Sequence, residues 1–190
     1  MPGWIRYALA IVIGAIIGTT GAAFAVRAGA LGSNEQIGPW ATGRDFGTAQ
    51  AGPYTRAVVA LYGLLALPAS EARYYTAATD DAGAPLSGNC RYRVSGGAMP
   101  TRWWSLTVYD QAGYLVPNAQ DIYSVASLNL PAAEQGQWSV IVAPTQQPGH
   151  WLPTGKADHF ALTLRTYLPA DAGRTNLTRE QLPRIVKEGC

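Results

Sequence analysis

The fold class this sequence predicts is mainly β. It is an antiparallel β-sandwich, jelly-roll-like, with one packed helix, behind an N-terminal transmembrane helix. Three observations lead there. A long uncharged run opens the chain, short segments beyond it alternate apolar and polar side chains with period two, and turn-forming residues separate those segments at short intervals. The expected division is an anchor over 1–27, a linker over 28–51 and a β domain over 52–190, with a helix at 53–67 and a C-terminal tail at 170–190. Of the 190 residues only 14% are charged, and 21 glycines and 13 prolines are spread along the chain as punctuation. About 160 residues beyond the anchor are enough for one domain with a real core and no need of a metal to fold.

Tyr7 to Val26 carries no charge and lies between Arg6 and Arg27. As a helix it would span about 30 Å, the thickness of a bilayer core. Trp4 and Tyr7 fall where interfacial aromatics sit. A cleaved signal peptide ending at Ala23-Phe24-Ala25 is the competing reading, and the length of the apolar run favours an anchor. Either reading exports the remainder of the chain. Charge does not fix the orientation, because Arg6 and the amino terminus face Arg27 and Arg44, diluted by Glu35 and Asp45. Gly14, Gly18 and Gly21 give the helix a small-residue face that would let another membrane helix approach.

Residues 28–50 are rich in Gly, Ser, Asn and Thr, with Trp40 and Phe46 as isolated apolar points. Pro53 suits a first helical position, and Tyr54, Val58, Leu61 and Leu65, with Ala57 and Leu64 offset, recur at helical spacing until Pro68. So apolar a helix requires cover, from the sheet or from another protein.

Strands are expected over 72–79, 90–95, 102–110, 138–143 and 160–167, with shorter candidates at 114–116 and 123–125. In the central one, Trp104, Leu106 and Val108 point to the core, and Trp103, Ser105, Thr107 and Tyr109 point away. Pro144 to Asp158 reads as a long polar loop carrying His150-Trp151-Leu152-Pro153.

Taken together, Trp103-Trp104-Ser105-Leu106-Thr107-Val108-Tyr109-Asp110, Gly113-Tyr114-Leu115, Tyr123-Ser124, Trp151-Leu152-Pro153 and the run Phe160 to Tyr167 resemble the bacterial DUF1214 domain. The likeness runs through roughly residues 70–168 and is nearest to small, exported, single-anchor members. It implies a jelly-roll-like sandwich and no particular reaction.

Cys90 and Cys190 are the two cysteines. In an oxidising compartment an even count suggests a bridge, and two free thiols are the alternative. Converging metal ligands are not evident: His150 and His159 stand nine apart, with no HExxH or paired-cysteine spacing. A nucleophile elbow, a P-loop and a dinucleotide fingerprint are likewise missing, and no basic run points to nucleic acid. No metal and no cofactor are therefore expected. Asp110 and Asp121 qualify as carboxylates only by lying near strand ends, and Asn176-Leu177-Thr178 fits a glycosylation sequon that arises often by chance. One pattern could bind. If their strands share a sheet, Trp103, Tyr109, Arg91, Arg93, Arg165 and Tyr167 interleave arginines with aromatics on one face, with His150 and Trp151 as a loop flap.

The function expected is that of a periplasmic domain, single-pass in the bacterial inner membrane, serving as an accessory or interaction subunit. Its partners would be the bilayer and another inner-membrane protein, met through the GxxxG helix or helix 53–67. The alternative is a binding module for a small anionic or carbohydrate-like ligand, and an enzyme of unrecognised type comes third.

Overall fold

A computed structural model describes residues 2–27, 34–43, 48, 50–61 and 67–190. Helix α1 runs Gly3–Arg27, and Gly3–Ala25 is long and apolar enough to cross a membrane. That fits a single-pass anchor. Helix α2 runs Pro53–Leu61 and lies beside α1. Of the helix expected over 53–67, residues 62–66, with Leu64 and Leu65, lie outside the described residues, as does Phe46.

The β domain is two sheets. One has six strands: β1 (Asn34–Ile37), β2 (Trp40–Gly43), β3 (Ala72–Ala77), β9 (Phe160–Pro169), β5 (Thr101–Asp110) and β6 (Ser124–Ala126), in that spatial order. The other has β10 (Arg184–Gly189), β4 (Arg91–Gly97), β7 (Gln137–Ala143) and β8 (Trp151–Pro153). Among the described residues every strand pairing is antiparallel except β7 with β8, which is parallel.

The period-two pattern decides which side chains meet between the sheets. Trp104, Leu106 and Val108 of β5 and Phe160, Leu162 and Leu164 of β9 face Tyr92 and Val94 of β4 and Trp138, Val140 and Val142 of β7. Trp104 stacks on Trp138 across the sandwich at 4.3 Å between ring centroids, and Tyr92 meets Phe160 edge-on at 5.7 Å. Such pairs add about 0.5–1.5 kcal/mol beyond their burial. Gly96 leaves room for the Trp138 ring, since a Cβ there would lie 2.7 Å from it.

Two spans without a clear period carry further strands. Within 28–51, β1 and β2 form a hairpin through Gly38-Pro39, and β2 pairs with β3. Trp40 is fully buried and donates its indole N–H to the Pro183 carbonyl at 2.8 Å, so it docks on the domain. Within 170–190, β10 pairs with β4, Ile185 enters the core, and Cys190 is disulfide-bonded to Cys90. Asp81 secures the start of β10. Its carboxylate accepts the Ile185 N–H at 3.0 Å and pairs with Arg179.

Candidate functional site

The aromatic and arginine face expected on one sheet divides in two. Trp103, Tyr109, Arg165 and Tyr167 do stand together on the outer side of the six-stranded sheet, because β5 and β9 are neighbours with Trp103 opposite Tyr167. The two rings lie 4.9 Å apart. Arg91 and Arg93 are elsewhere. They belong to β4 in the other sheet, so they point outward on the opposite side of the sandwich. There both pair with Glu188, at 3.0 and 2.6 Å, where β10 bulges between Lys187 and Gly189. Exposed pairs of this kind contribute little stability.

Arg165 is already committed. Its Nη1 donates to Thr107 at 3.2 Å, its Nη2 donates to the Tyr109 hydroxyl, and its guanidinium lies 5.3 Å from the centre of the Tyr109 ring. Laid across the sheet, it covers Thr107 and helps bury that face. Burial raises the Tyr167 pKa and keeps its hydroxyl protonated.

His150 and Trp151 do not form a flap. The parallel pairing of β8 with β7 sets Trp151 opposite Ile141, and there it is only 7% exposed, packed with Ile141, Ala143 and Ile122. Its indole N–H donates to the Ala143 carbonyl at 3.0 Å. Trp151 is therefore a wall.

That wall belongs to an open groove of about 450 Å³, where β6, the edge of one sheet, comes beside β8, the edge of the other. Its polar and aromatic lining is Asp121, Tyr123, Ser124, Asn129, His150 and Trp151. The Tyr123 hydroxyl donates to Asp121 Oδ1 at 3.1 Å, and this hydrogen bond raises the Tyr123 pKa. Asp121 itself has φ +53°, a left-handed backbone that aspartate tolerates better than most residues. His150 Nε2 meets Glu134 at 3.0 Å. Asn118 shapes the loop below, accepting the Gln120 and Ile122 N–H groups and donating to the Ile122 carbonyl.

Chemically the groove offers a carboxylate, hydroxyls, an amide and an imidazole beside two aromatic rings, and among the described residues no arginine or lysine lines it. Among the described residues, no hydrogen bond joins His150 to Ser124 or Tyr123, so no nucleophile is poised on a base. Groups of three or more metal-ligating side chains are absent among the described residues. Asp110 caps its own turn through the Ala112 and Tyr114 N–H groups, and His159 bonds the Leu86 carbonyl. The sequon Asn176 has its amide nitrogen on Glu35 and its oxygen on Arg73. Gly14, Gly18 and Gly21 have open space where a Cβ would stand, so no contact with the described residues requires them to be glycine.

Sequence reasoning paired His150 with Trp151 as a flap over another face, reached Asp121 separately as a carboxylate near a strand end, and did not bring the three together. Tyr123 and Asn129 were missed as site residues, because nothing in the sequence tells that two sheet edges converge.

Fold and groove together define a β-sandwich domain behind a helix that fits a single-pass anchor. The chain belongs to the family described as "Protein of unknown function (DUF1214)", whose model matches residues 71–171. Among solved structures it is similar to the VPA0106 protein from Vibrio parahaemolyticus, at 22% identity over 70% of this chain and 35% of that one, with a TM-score of 0.56. An uncharacterized protein from Burkholderia cenocepacia is 21% identical over 63% of this chain and 29% of that one, with a TM-score of 0.41. The chain thus spans about a third of the length of these structures, and the first likeness supports the fold alone. No curated protein matches.

Proposed function

We propose that the chain is a membrane-anchored binding domain on the periplasmic side of a bacterial inner membrane, and that its ligand is small, polar and carbohydrate-like. The groove between β6 and β8 carries this reading. Hydroxyl-rich ligands are held by mixed donors and acceptors beside aromatic rings, which is the make-up of this lining. Of the two ligand classes the sequence suggested, an anion is disfavoured here. Among the described residues the groove is lined by no arginine or lysine, and it exposes Asp121, with Glu134 behind His150.

The periplasmic location rests on the Cys90–Cys190 bridge, since disulfides persist in oxidising compartments. A membrane-impermeant maleimide applied to intact spheroplasts should label the chain only after reduction. Labelling without a reductant would contradict the bridge, and no labelling even after reduction would contradict the orientation.

The ligand is tested by thermal unfolding of the full-length protein in detergent with glucose, N-acetylglucosamine and maltose. A bound ligand raises the midpoint by mass action. We expect a saturable rise with at least one sugar, lost in Asp121→Asn and in Tyr123→Phe without a fall in the unliganded midpoint. No response to any of the three, or a response both variants keep, would count against the groove.

An accessory-subunit role has one observation of its own, the unfilled face at Gly14, Gly18 and Gly21. A membrane protein packed there would appear as a stoichiometric mass in native mass spectrometry of mildly extracted protein and would be lost in Gly18→Leu. A bare monomer would remove this second reading.

A further inference from the structure

Three leucines outside the core stand at one end of the six-stranded sheet. Leu128 is 81% exposed, Leu168 45% and Leu67 43%. The turn Ser127–Asn129 carries Leu128 and packs against β5, where the Trp104 N–H donates to Ser127 Oγ at 3.4 Å. Leu168 follows Tyr167 in β9, and Tyr167 stands opposite Trp103 of β5 and Ala72 of β3. Leu67 leads into β3, and its N–H donates to the Tyr74 hydroxyl at 3.3 Å. Across this end of the sheet the order is therefore Leu67, Tyr167 with Leu168, Trp103 and Leu128.

Single exposed leucines are ordinary, whereas a row of them beside aromatic rings marks a contact surface. Leu168 adds a second sign. Its φ of +49° is a backbone that residues with a side chain rarely adopt, and strain of this kind collects at functional surfaces. The Leu168 N–H donates to the Glu71 carbonyl at 2.8 Å, which fixes the turn that holds this leucine outside.

The same end of the sheet receives the anchor. Asn34, the first residue of β1, stands opposite Gly43, the last of β2. The Thr42 hydroxyl donates to the Tyr74 carbonyl at 2.7 Å, so both strands meet β3 near its start. The chain thus enters the sheet from α1 at this end. It also leaves the sheet here for α2, which lies beside α1, and returns here into β3. The seven steps from Arg27 to Asn34 reach at most about 25 Å, whatever their course. With α1 across a bilayer, this end of the domain is the one held at its surface.

From this row of exposed leucines at the tethered end, we infer that the domain docks on the membrane that α1 crosses. Leu67, Leu128 and Leu168 enter the boundary between headgroups and acyl chains, and Trp103 and Tyr167 lie at the headgroups. Tryptophan and tyrosine suit that layer, because each has an apolar body and a polar tip. The depth is that of an interfacial contact, with apolar side chains a few ångströms into the boundary and the backbone outside it. The docking rests on α1 as a membrane anchor and is independent of the groove and its ligand.

The test uses full-length protein, ¹⁵N-labelled at its indoles, in phosphatidylcholine bicelles. A fraction of the lipid carries a gadolinium chelate on its headgroup, or the same chelate with diamagnetic lanthanum as reference. Trp4, at the start of α1, reports the anchor, and Trp103 reports the docked end. Trp40, opposite Ala77 at the far end of β3, and Trp151 on the other sheet are the controls. Gadolinium should remove most of the Trp4 and Trp103 signals and leave those of Trp40 and Trp151. The double variant Leu67→Asp/Leu128→Asp changes two exposed side chains, and in it the Trp103 signal should return while that of Trp4 stays lost. A Trp103 signal that survives beside a lost Trp4 signal would overturn the docking, keep the anchor and leave the leucines to a protein partner. Survival of both signals would overturn docking and anchor together. A Trp103 signal still lost in the double variant would also overturn the docking, because the tether alone would then account for its nearness to lipid.

Discussion

Trp104 and Trp103 are adjacent and do different work. Trp104 is buried against Trp138, while Trp103 lies half-buried on the outer side beside Tyr167. Trp104→Ala should cost about 3–5 kcal/mol in a denaturant melt, as a large-to-small core change. Trp103→Ala should cost clearly less, and equal losses would mean that the strand faces are misassigned. This much was legible from alternation alone, because side-chain direction follows the pleat. What alternation could not tell was which strands are neighbours. Arg91 and Arg165 have the same period-two signature, yet they end on opposite sides of the sandwich, one on Glu188 and the other on Tyr109. Arg73 was harder still. In sequence it is an ordinary strand arginine between Ala72 and Tyr74, and only the pairing of Ala72 with Tyr167 and of Arg73 with Thr166 turns it inward.

At the scale of elements, the long strands β4, β5, β7 and β9 were readable because each buries a regular apolar row. The short ones were not. β1 is Asn-Glu-Gln-Ile, β8 is three residues long, and β10 places only Ile185 in the core. Tertiary pairing, and not intrinsic preference, makes these strands. The turn after β9 is held by Asp171. The Thr175 hydroxyl and N–H and the Gly173 N–H keep its carboxyl below the ordinary carboxylate range. A carboxyl with a depressed folded pKa stabilises fully above its unfolded value and loses that contribution as pH falls through the folded one. Asp171→Ala should therefore melt below the wild type at pH 7 and converge with it in acid. A constant gap at every pH would assign the effect to packing. The C-terminal strand is tied by Cys90–Cys190, a separation of 100 residues. In the chain-entropy model, closing such a loop is worth about 4–5 kcal/mol. Cys190→Ser should lower the melting midpoint to that of the reduced wild type, and no change would mean that β10 holds without the bridge.

For the whole molecule, the sandwich and the apolar helix were both readable, since each rests on a pattern local to the chain. The groove was not, because it exists only where β6 and β8, edges of different sheets, come side by side. In the sequence His150 and Trp151 lie in a polar loop and Asp121 lies near a strand end. Their common site arises from the closing of one sheet over the other. The most direct test of the groove as the binding site uses the six tryptophans as reporters. Only Trp151 lines the groove. Full-length protein with ¹⁵N-labelled indoles, in detergent micelles, gives one side-chain N–H signal per tryptophan, assigned by single Trp→Phe variants. On titration with glucose, N-acetylglucosamine or maltose, the Trp151 signal is expected to move saturably while those of Trp40, Trp104 and Trp138 stay fixed. A stationary Trp151 signal with all three sugars, or a shift confined to Trp103, would contradict the groove.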